Sequence, residues 1–345
     1  MLSVPWAVTI GGRPMTDRMN PYVESIEVTD KPGETGDTAT LVFDDTDGQV
    51  MLPPKGAPIT IMLGGAKKFE GVTDAPESSG SRGGGMQLTV HCTSHDKRSK
   101  VKERRSLHKD DATLEEFLKA AAKEAGIDSV KVDKALGSIK RPYWSSEGRS
   151  FQQLGQELAD EFGATFKIRG KTAVLAARGG GATPGGASLP SVRAVRGDNL
   201  ISWRLSPSES RPRFAKARVR YYDRRAAKWK QEDVEVGASP GASSGASGVV
   251  DLPPAPRADK DQAKSAAKGR KTASEREGGS GEVTLVFAVE ACAEGTCVVE
   301  GVRAGIDGSY RIESVVHRVS RGPSTTTLQL KQPQGEAGTD GRKAG

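Results

Sequence analysis

The run from Val298 to Lys331, VVEGVRAGIDGSYRIESVVHRVSRGPSTTTLQLK, limits what this chain can fold into more than any other stretch. Asp307-Gly308 reads as a tight hairpin turn, because a type I′ turn needs positive φ at both central residues and this dipeptide tolerates it. β-rich segments flank it, Val298 to Ile306 before and Ser309 to Ser320 after. Arg321-Gly322-Pro323-Ser324 predicts a second turn, and Thr326, Leu328 and Leu330 then share one face of a third strand. Three antiparallel strands leave two open edges, which the rest of the chain must cover. Val315-Val316 puts apolar groups on both faces of residues 309–320. A bulge or two-sided burial would explain that, and periodicity leaves the choice open.

With 345 residues, two or three domains are expected. Residues 1–95 read as a first β domain with strands at Val4–Ile10, Tyr22–Thr29, Thr38–Asp44, Pro58–Leu63, Lys68–Thr73 and Met86–Thr93. Six short strands suggest a small barrel or sandwich, with Gly80–Gly85 as a hairpin tip. Residues 96–178 form an α/β insert that opens with a charged connector, 96–112. Thr113 and Glu116 make a capping box ahead of the stripe Leu114, Phe117, Leu118, Ala121 and Ala125. Ser150 and Gln153 make another ahead of Phe151, Leu154, Leu158, Ala159 and Phe162, stopped by Gly163. Thr165–Ile168 and Thr172–Leu175 follow as a hairpin across Arg169-Gly170. Residues 179–189 are a Gly-rich linker by composition.

A second β domain is expected over 190–332. It begins with a strand at Asn199–Leu205 and a hairpin of Phe214–Tyr222 with Lys228–Val236. Within it, 237–248 reads as a mobile low-complexity loop and 259–276 as an Ala/Lys-rich helix. That helix has only Ala263, Ala266, Ala267 and Ala273 to bury, so shallow packing and a solvated Lys/Arg face are expected. Residues 333–345 read as a disordered tail.

Hydrophobic residues make up 35% and aromatics 5%, lean for an enzyme with a deep pocket and suited to a turn-rich β protein. No apolar run approaches the ~20 residues of a membrane span, and the start, MLSVPWAVTIGG, lacks the features of a secretion signal. Three cysteines, an odd number, argue against a disulfide scaffold. Net charge is +7, yet the 51 basic and 44 acidic residues are interspersed, unlike a dedicated nucleic-acid binder.

Several fragments imitate chemistry. Gly237-Ala238-Ser239-Pro240-Gly241 and Gly241-Ala242-Ser243-Ser244-Gly245 spell G-x-S-x-G, but a nucleophile elbow needs a strained strand-to-helix turn, and a Gly/Ala/Ser tract produces the spelling by chance. Gly170-Lys171-Thr172 echoes a P-loop ending, but Thr165 stands where the first Gly belongs and the fragment lies in a hairpin. His91 and His95 on an extended strand are ~13 Å apart, too far for one ion, and Cys92 between them reads as core. Cys292 and Cys297 lack a second matching pair. Asp45-Thr46-Asp47-Gly48 resembles a calcium loop, but that register puts Phe43 at position 1 and Pro54 at position 12.

The basic clusters Lys97–Arg105, Arg211–Lys230 and Lys260–Lys271 read as solvated faces. Phe214, Tyr221, Tyr222 and Trp229, interleaved in the second, read as cross-strand pairs. His317, with Glu313 on the same face, reads as structural. No pair of carboxylates is singled out for glycosidase chemistry. No catalytic, cofactor-binding or metal-ligating residue is therefore expected.

Three stretches carry a family resemblance. The first is GVRAGIDGSYRIESVVHRVSRGPSTTTLQL, Gly301 to Leu330; the second is SSEGRSFQQLGQELADEFGATFKIRGKTAVL, Ser145 to Leu175; the third is DATLEEFLKAAAKEAGI. Together they resemble the late-control gene D family of tailed phages, the baseplate hub proteins related to the N-terminal part of VgrG spike proteins. The second departs from the family pattern in lacking an acidic residue after the serine and in having Gly155 within the helix, and residues 1–95 match in pattern only.

The resemblance implies two tail-tube-like β-barrel domains flanking the insert. It also implies a homotrimer whose six such domains adapt the sixfold tail tube to the threefold central spike. Implied partners are the tube protein, the spike protein and other baseplate proteins, with the tape measure protein as a further candidate. No cofactor, membrane anchor, specific nucleic acid or enzymatic turnover is implied, and the location is the virion tail tip after synthesis in the host bacterial cytoplasm. Alternative readings are a virion-associated cell-wall hydrolase, a nucleic-acid-binding protein, or a VgrG-like secretion-system component. A needle domain, which the last would carry, is not seen before Gly345.

Overall fold

A computed structural model of the chain describes residues 3–32, 36–95, 100–179, 181, 183, 185–207, 216–223, 225–236, 250–251 and 256–342. The loop anticipated as mobile at 237–248, with its two G-x-S-x-G spellings, lies outside the described residues.

The N-terminal part comprises β1 (Trp6–Ile10), β2 (Arg13–Pro14), the short helix α1 (Thr16–Met19), β3 (Val23–Asp30), β4 (Thr38–Asp44), β5 (Pro58–Leu63), β6 (Ala66–Ser81) and β7 (Gly85–Thr93). Strict alternation buries Ile59, Ile61 and Leu63 on β5 and Leu88, Val90 and Cys92 on β7, while His91 points the other way. At 16 residues β6 outruns its expected length: its first part pairs with β5 and its second with β7.

The next stretch holds β8 (Arg105–Thr113), α2 (Leu114–Glu124), β9 (Ser129–Val132), the short helix α3 (Lys134–Gly137), β10 (Lys140–Arg149), α4 (Phe151–Phe162), β11 (Ala164–Arg169) and β12 (Thr172–Ala177). Both capping boxes form, with Glu116 N donating to Thr113 Oγ1 at 3.3 Å and Gln153 N to Ser150 Oγ at 3.2 Å. The charged connector expected over 96–112 is largely the strand β8, paired with β10; nearly alternate exposure along it hides its strand character behind charge. Strand β9 pairs in parallel with β12 of the β11–β12 hairpin. The core of this part centres on Phe117, Leu118, Trp144, Leu158 and Phe166, and Trp144 Nε1 donates to Ala112 O at 2.8 Å.

The remainder comprises β13 (Ser191–Val195), β14 (Leu200–Ser206), β15 (Lys216–Asp223), β16 (Lys228–Glu235), β17 (Val250–Asp251), α5 (Lys260–Arg276), β18 (Ser280–Val286), β19 (Thr296–Glu300), β20 (Gly308–Ser320) and β21 (Thr325–Gln334). Ala263, Ala266 and Ala267 of α5 pack on Ala217, Val219 and Tyr221 of β15. Further along α5, a Cβ at Gly269 would stand 2.7 Å from the Glu161 carbonyl, so its hydrogen-only side chain permits close approach to α4. The α5 cations are not all solvated as expected, since Arg276 is buried.

The two β parts are joined. One path of paired strands runs β14-β18-β21-β20-β3-β4-β7-β6-β5-β1-β2, with β13 and β19 attached beside it through β20. The joint is the β20–β3 pair, in register from Val315 opposite Asp30 to Ser320 opposite Ser25. The molecule is thus mainly β, and strand pairing among the described residues closes neither half into a barrel. Strand β20 pairs with β19, β21 and β3 and shifts register against β21 at 309–311 and 312–314. Its pairing is regular through Val315-Val316, where Val315 is buried and Val316 half-buried, so two-sided burial explains that pair.

Two expectations about this end of the chain are corrected. Asp307-Gly308 is not a two-residue turn: β19 stops at Glu300 and a loop of residues 301–307 follows. Asp307 does not take the positive φ that a type I′ turn needs, because its carboxylate accepts the backbone N–H groups of Gly301, Val302 and Arg303 at 3.2, 2.8 and 3.2 Å. The tail expected from residue 333 is instead anchored through residue 342. Ala337 is fully buried, Gly338 N donates to Gly305 O at 2.8 Å, and Asp340 pairs with Arg303.

Candidate functional site

Within the described residues, the residues of the imitation motifs take part in local structure. Cys92 and Cys297 are buried free thiols pushed up to about 12 by desolvation. His91 is exposed, 3.9 Å from Glu77, while the His95 ring contacts Ser94 Oγ at 3.2 Å. Gly170-Lys171 is the β11–β12 turn, and Thr172 opens β12. Asp44 accepts Thr46 N and Oγ1, and Asp45 accepts Val50 N, so these carboxylates shape their own loop. Among the described residues no group of three or more His, Cys, Asp or Glu could hold a metal ion.

His317 is buried between Thr326 Oγ1 at 3.1 Å and Ala291 O at 3.3 Å, and burial lowers its imidazole to about 4. Glu313 turns away to pair with Lys331 at 3.0 Å. The two contacts of His317 tie β20 to Thr326 of β21 and to the backbone at Ala291.

What the fold does concentrate is charge at its internal junctions. Asp30, at the end of β3, and Asp37, just before β4, are both buried, and Lys167 and Arg169 reach them from β11. Lys167 Nζ lies 2.6 Å from Asp37, and Arg169 Nε donates to Asp37 at 2.9 Å. Ala293 N, from the C-terminal part, donates to Asp30 at 3.0 Å, so all three parts meet here. Burial works against ionisation of Asp30, but Lys167 and Arg169 together hold its carboxyl well below the usual range. Burial raises Asp37, an effect that the same two cations oppose and the charge of Asp30 reinforces. Two carboxylates facing two cations are nearly neutral as a set, which is how buried charge is tolerated.

A second junction centres on Glu294, whose carboxylate accepts both hydrogen bonds of Arg276 Nη1, at 2.8 and 2.9 Å, and one from Thr165 at 3.2 Å. Arg311 Nη1 donates to the Glu294 carbonyl at 3.1 Å. A cavity of about 190 Å³ opens beside it, and its cations Arg178, Arg276 and Lys331 face the carboxylates Glu277, Glu294 and Glu313. Such balance suits a structural seam and offers a reactant no net charge. Sequence reading missed Asp30, Asp37, Lys167, Arg169 and Glu294 as a set, because pairing across more than a hundred residues leaves no local spacing. Only the Glu294-Gly295 dipeptide marks a turn there.

The outward features are edges and apolar side chains. Among the described residues, β14 pairs with no named strand but β18, and the second part of β6 with none but β7. Ile201 and Trp203 on β14, Val286 on β18, and Met51 and Leu52 after β4 are exposed. Tyr222 and Trp229 stack edge-to-face across the β15–β16 hairpin, as expected for a cross-strand pair.

No family model matches the chain. It is 27% identical over 199 residues to a protein of Escherichia phage 186 described as "Probable baseplate hub protein", and 28% identical over 201 residues to the protein of the same description from Escherichia phage P2. Each match takes in 57% of this chain and 51% of the relative, so the chain spans about half the length of the curated relatives it matches. Among solved structures, the 43 kDa tail protein of prophage MuSo2 from Shewanella oneidensis superposes with a TM-score of 0.70 at 15% identity, over 94% of this chain and 97% of that one. The tail protein from Neisseria meningitidis MC58 gives 0.70 at 15% identity, over 98% of both. A type VI secretion system component of Escherichia coli gives 0.55 at 12% identity, over 97% of this chain and 79% of that one. The resemblance to baseplate hub proteins is thus borne out in sequence, and the fold is that of phage tail proteins.

Proposed function

We propose that this chain, similar to baseplate hub proteins and folded like phage tail proteins, is a structural hub of a tailed phage or phage-like particle. In this reading three copies form a collar joining a sixfold tail tube to a threefold central spike, and other baseplate proteins dock around it. The observation that carries the reading is the β20–β3 joint, which fixes two β parts in one rigid relation within a single polypeptide. Each part contributes four successive antiparallel strands, β14-β18-β21-β20 and β3-β4-β7-β6, as two copies of a tube-like subunit would.

A trimer of such chains offers six similar surfaces on one side and three on the other, which is how a closed ring reconciles unlike symmetries. The open strands β14 and β6 supply edges that neighbouring copies would cover. The domain division 1–95, 96–178 and 190–332 belongs to the same reading, with the insert braced against both β parts by the Asp30 and Glu294 junctions. The role is mechanical and needs no turnover, and its place is the tail tip of the virion.

The test is assembly. Light scattering of the purified chain with its spike protein is expected to show three copies of the 36.4 kDa chain per complex. Electron microscopy is expected to show a ring at the tail tip with six β lobes. A monomer that stays monomeric with spike and tube proteins present would overturn the reading.

A further inference from the structure

Two exposed features on separate strands of the large sheet complement each other. One is the loop that leaves β4. Within it Met51 is 89% exposed and Leu52 62%. Yet the loop is tied on both sides: Val50 N donates to Asp45 at 2.9 Å, Tyr22 Oη to Gln49 at 3.1 Å, and the buried Thr73 hydroxyl to Pro54 O at 2.6 Å. A segment held at both ends that turns two large apolar side chains to solvent is preorganised for insertion, with little chain entropy left to lose. Asp45 and Asp47 beside them enter no ion pair among the described residues.

The other is the β14 edge. Ile201 is 53% exposed, Trp203 39%, and Val286 of the adjoining strand 53%. The Arg196 guanidinium lies 5.7 Å over the Trp203 ring, and neither Arg196 nor Arg204 enters an ion pair among the described residues. Arg204 stands opposite Glu282, whose carboxylate is occupied by the Gln329 amide. A groove of about 650 Å³ opens beside Trp203 between β14 and β18.

Within one chain the features lie five strand spacings apart, about 24 Å, because β18, β21, β20 and β3 stand between β14 and β4. They nevertheless sit toward the same end of the strands. Val286 is level with Thr325, Arg318, Glu27 and Thr40 in successive strands, and Thr40 leads into Asp44 and the loop. An acidic apolar knob and a basic apolar edge lie toward the same end of the sheet, their charges in no ion pair among the described residues, and a second copy brings them together.

We propose that the Met51-Leu52 loop of one copy seats on the Ile201–Trp203 edge of the next, with Asp45 and Asp47 facing Arg196 and Arg204. The contact is head-to-tail, the type that closes into a ring when the rotation permits. It rests on the trimeric reading above and names the surface that reading requires.

Mixing a Leu52→Cys chain with an Ile201→Cys chain and adding a short bifunctional thiol reagent is expected to give covalent dimers that neither chain gives alone. Met51→Asp, and separately Asp47→Arg, is expected to weaken assembly by about tenfold or more. Arg204→Asp is expected to restore the Asp47→Arg chain. Both loop sites are exposed, so unchanged thermal unfolding of each variant shows that the fold is intact. If the parent chain is monomeric throughout, the trimeric reading fails and this inference with it. If it is trimeric while the loop variants assemble normally and the mixed cysteines do not cross-link, the trimer stands on another surface and this inference is overturned.

Discussion

Glu294 holds a left-handed backbone, φ +68°, that costs a side-chain-bearing residue of order 1 to 3 kcal/mol. Its side chain explains why a glutamate stands there, since it is the acceptor for the buried Arg276. Removing it leaves a buried guanidinium without its counter-ion, so Glu294→Ala is expected to lower stability by about 3 to 5 kcal/mol in urea unfolding. Glu294→Gln, which still accepts, is expected to lose less. His317 supplies a prediction in pH. Its folded value of about 4 lies below that of an unfolded histidine, about 6.5. The unfolded chain therefore binds the proton first as pH falls, and stability should decline by up to about 1.4 kcal/mol per unit across that window. His317→Gln is expected to flatten the decline between pH 6.5 and 4 relative to the parent, as read by unfolding midpoints at each pH.

Gly155 shows how an element can look wrong in sequence and be right in packing. It sits mid-helix in α4, where glycine is a weak former, but a Cβ there would come within 2.3 Å of the Phe166 ring. Gly155→Ala is expected to cost about 1 to 3 kcal/mol despite the better helix propensity, because the ring must move within a packed core. A raised melting temperature would contradict that. Both long helices of the insert were legible from their capping boxes and apolar stripes, which are local signals. The charged strand β8 was not, since Arg105 to Thr113 lacks the apolar alternation that marks a half-buried strand. The turn before β20 was misread because Asp307 spends its carboxylate on backbone donors, an arrangement that the dipeptide Asp-Gly does not distinguish from a type I′ turn. Residues 333–342 were taken for tail on polar composition, whereas the end of β21, the buried Ala337 and the bond to the 301–307 loop order them.

At the scale of the whole molecule, the sequence showed β-rich parts around an insert but not their fusion into one sheet. Pairing between β3 and β20 leaves no periodic trace, because each strand alternates alike whichever neighbour it has. Val319, carried by β20, is fully buried in the cluster of the N-terminal part. The two β parts therefore share core as well as hydrogen bonds, and calorimetry is expected to give one cooperative transition for both. Val319→Ala is expected to lower that single transition without splitting it. Two separate transitions for the β parts would contradict the joint.

The β20–β3 joint also bears on how the chain comes off the ribosome. Strand β3 is made within the first thirty residues, and its partner only after residue 308. Throughout most of translation, then, one flank of the early sheet stands ready to bind any extended strand nearby, and slow, long-range closure is the step most open to aggregation. A chain cut short before β20 would keep that flank exposed for good, so truncated products should be sticky and poorly soluble, while release of the last few dozen residues seals the sheet.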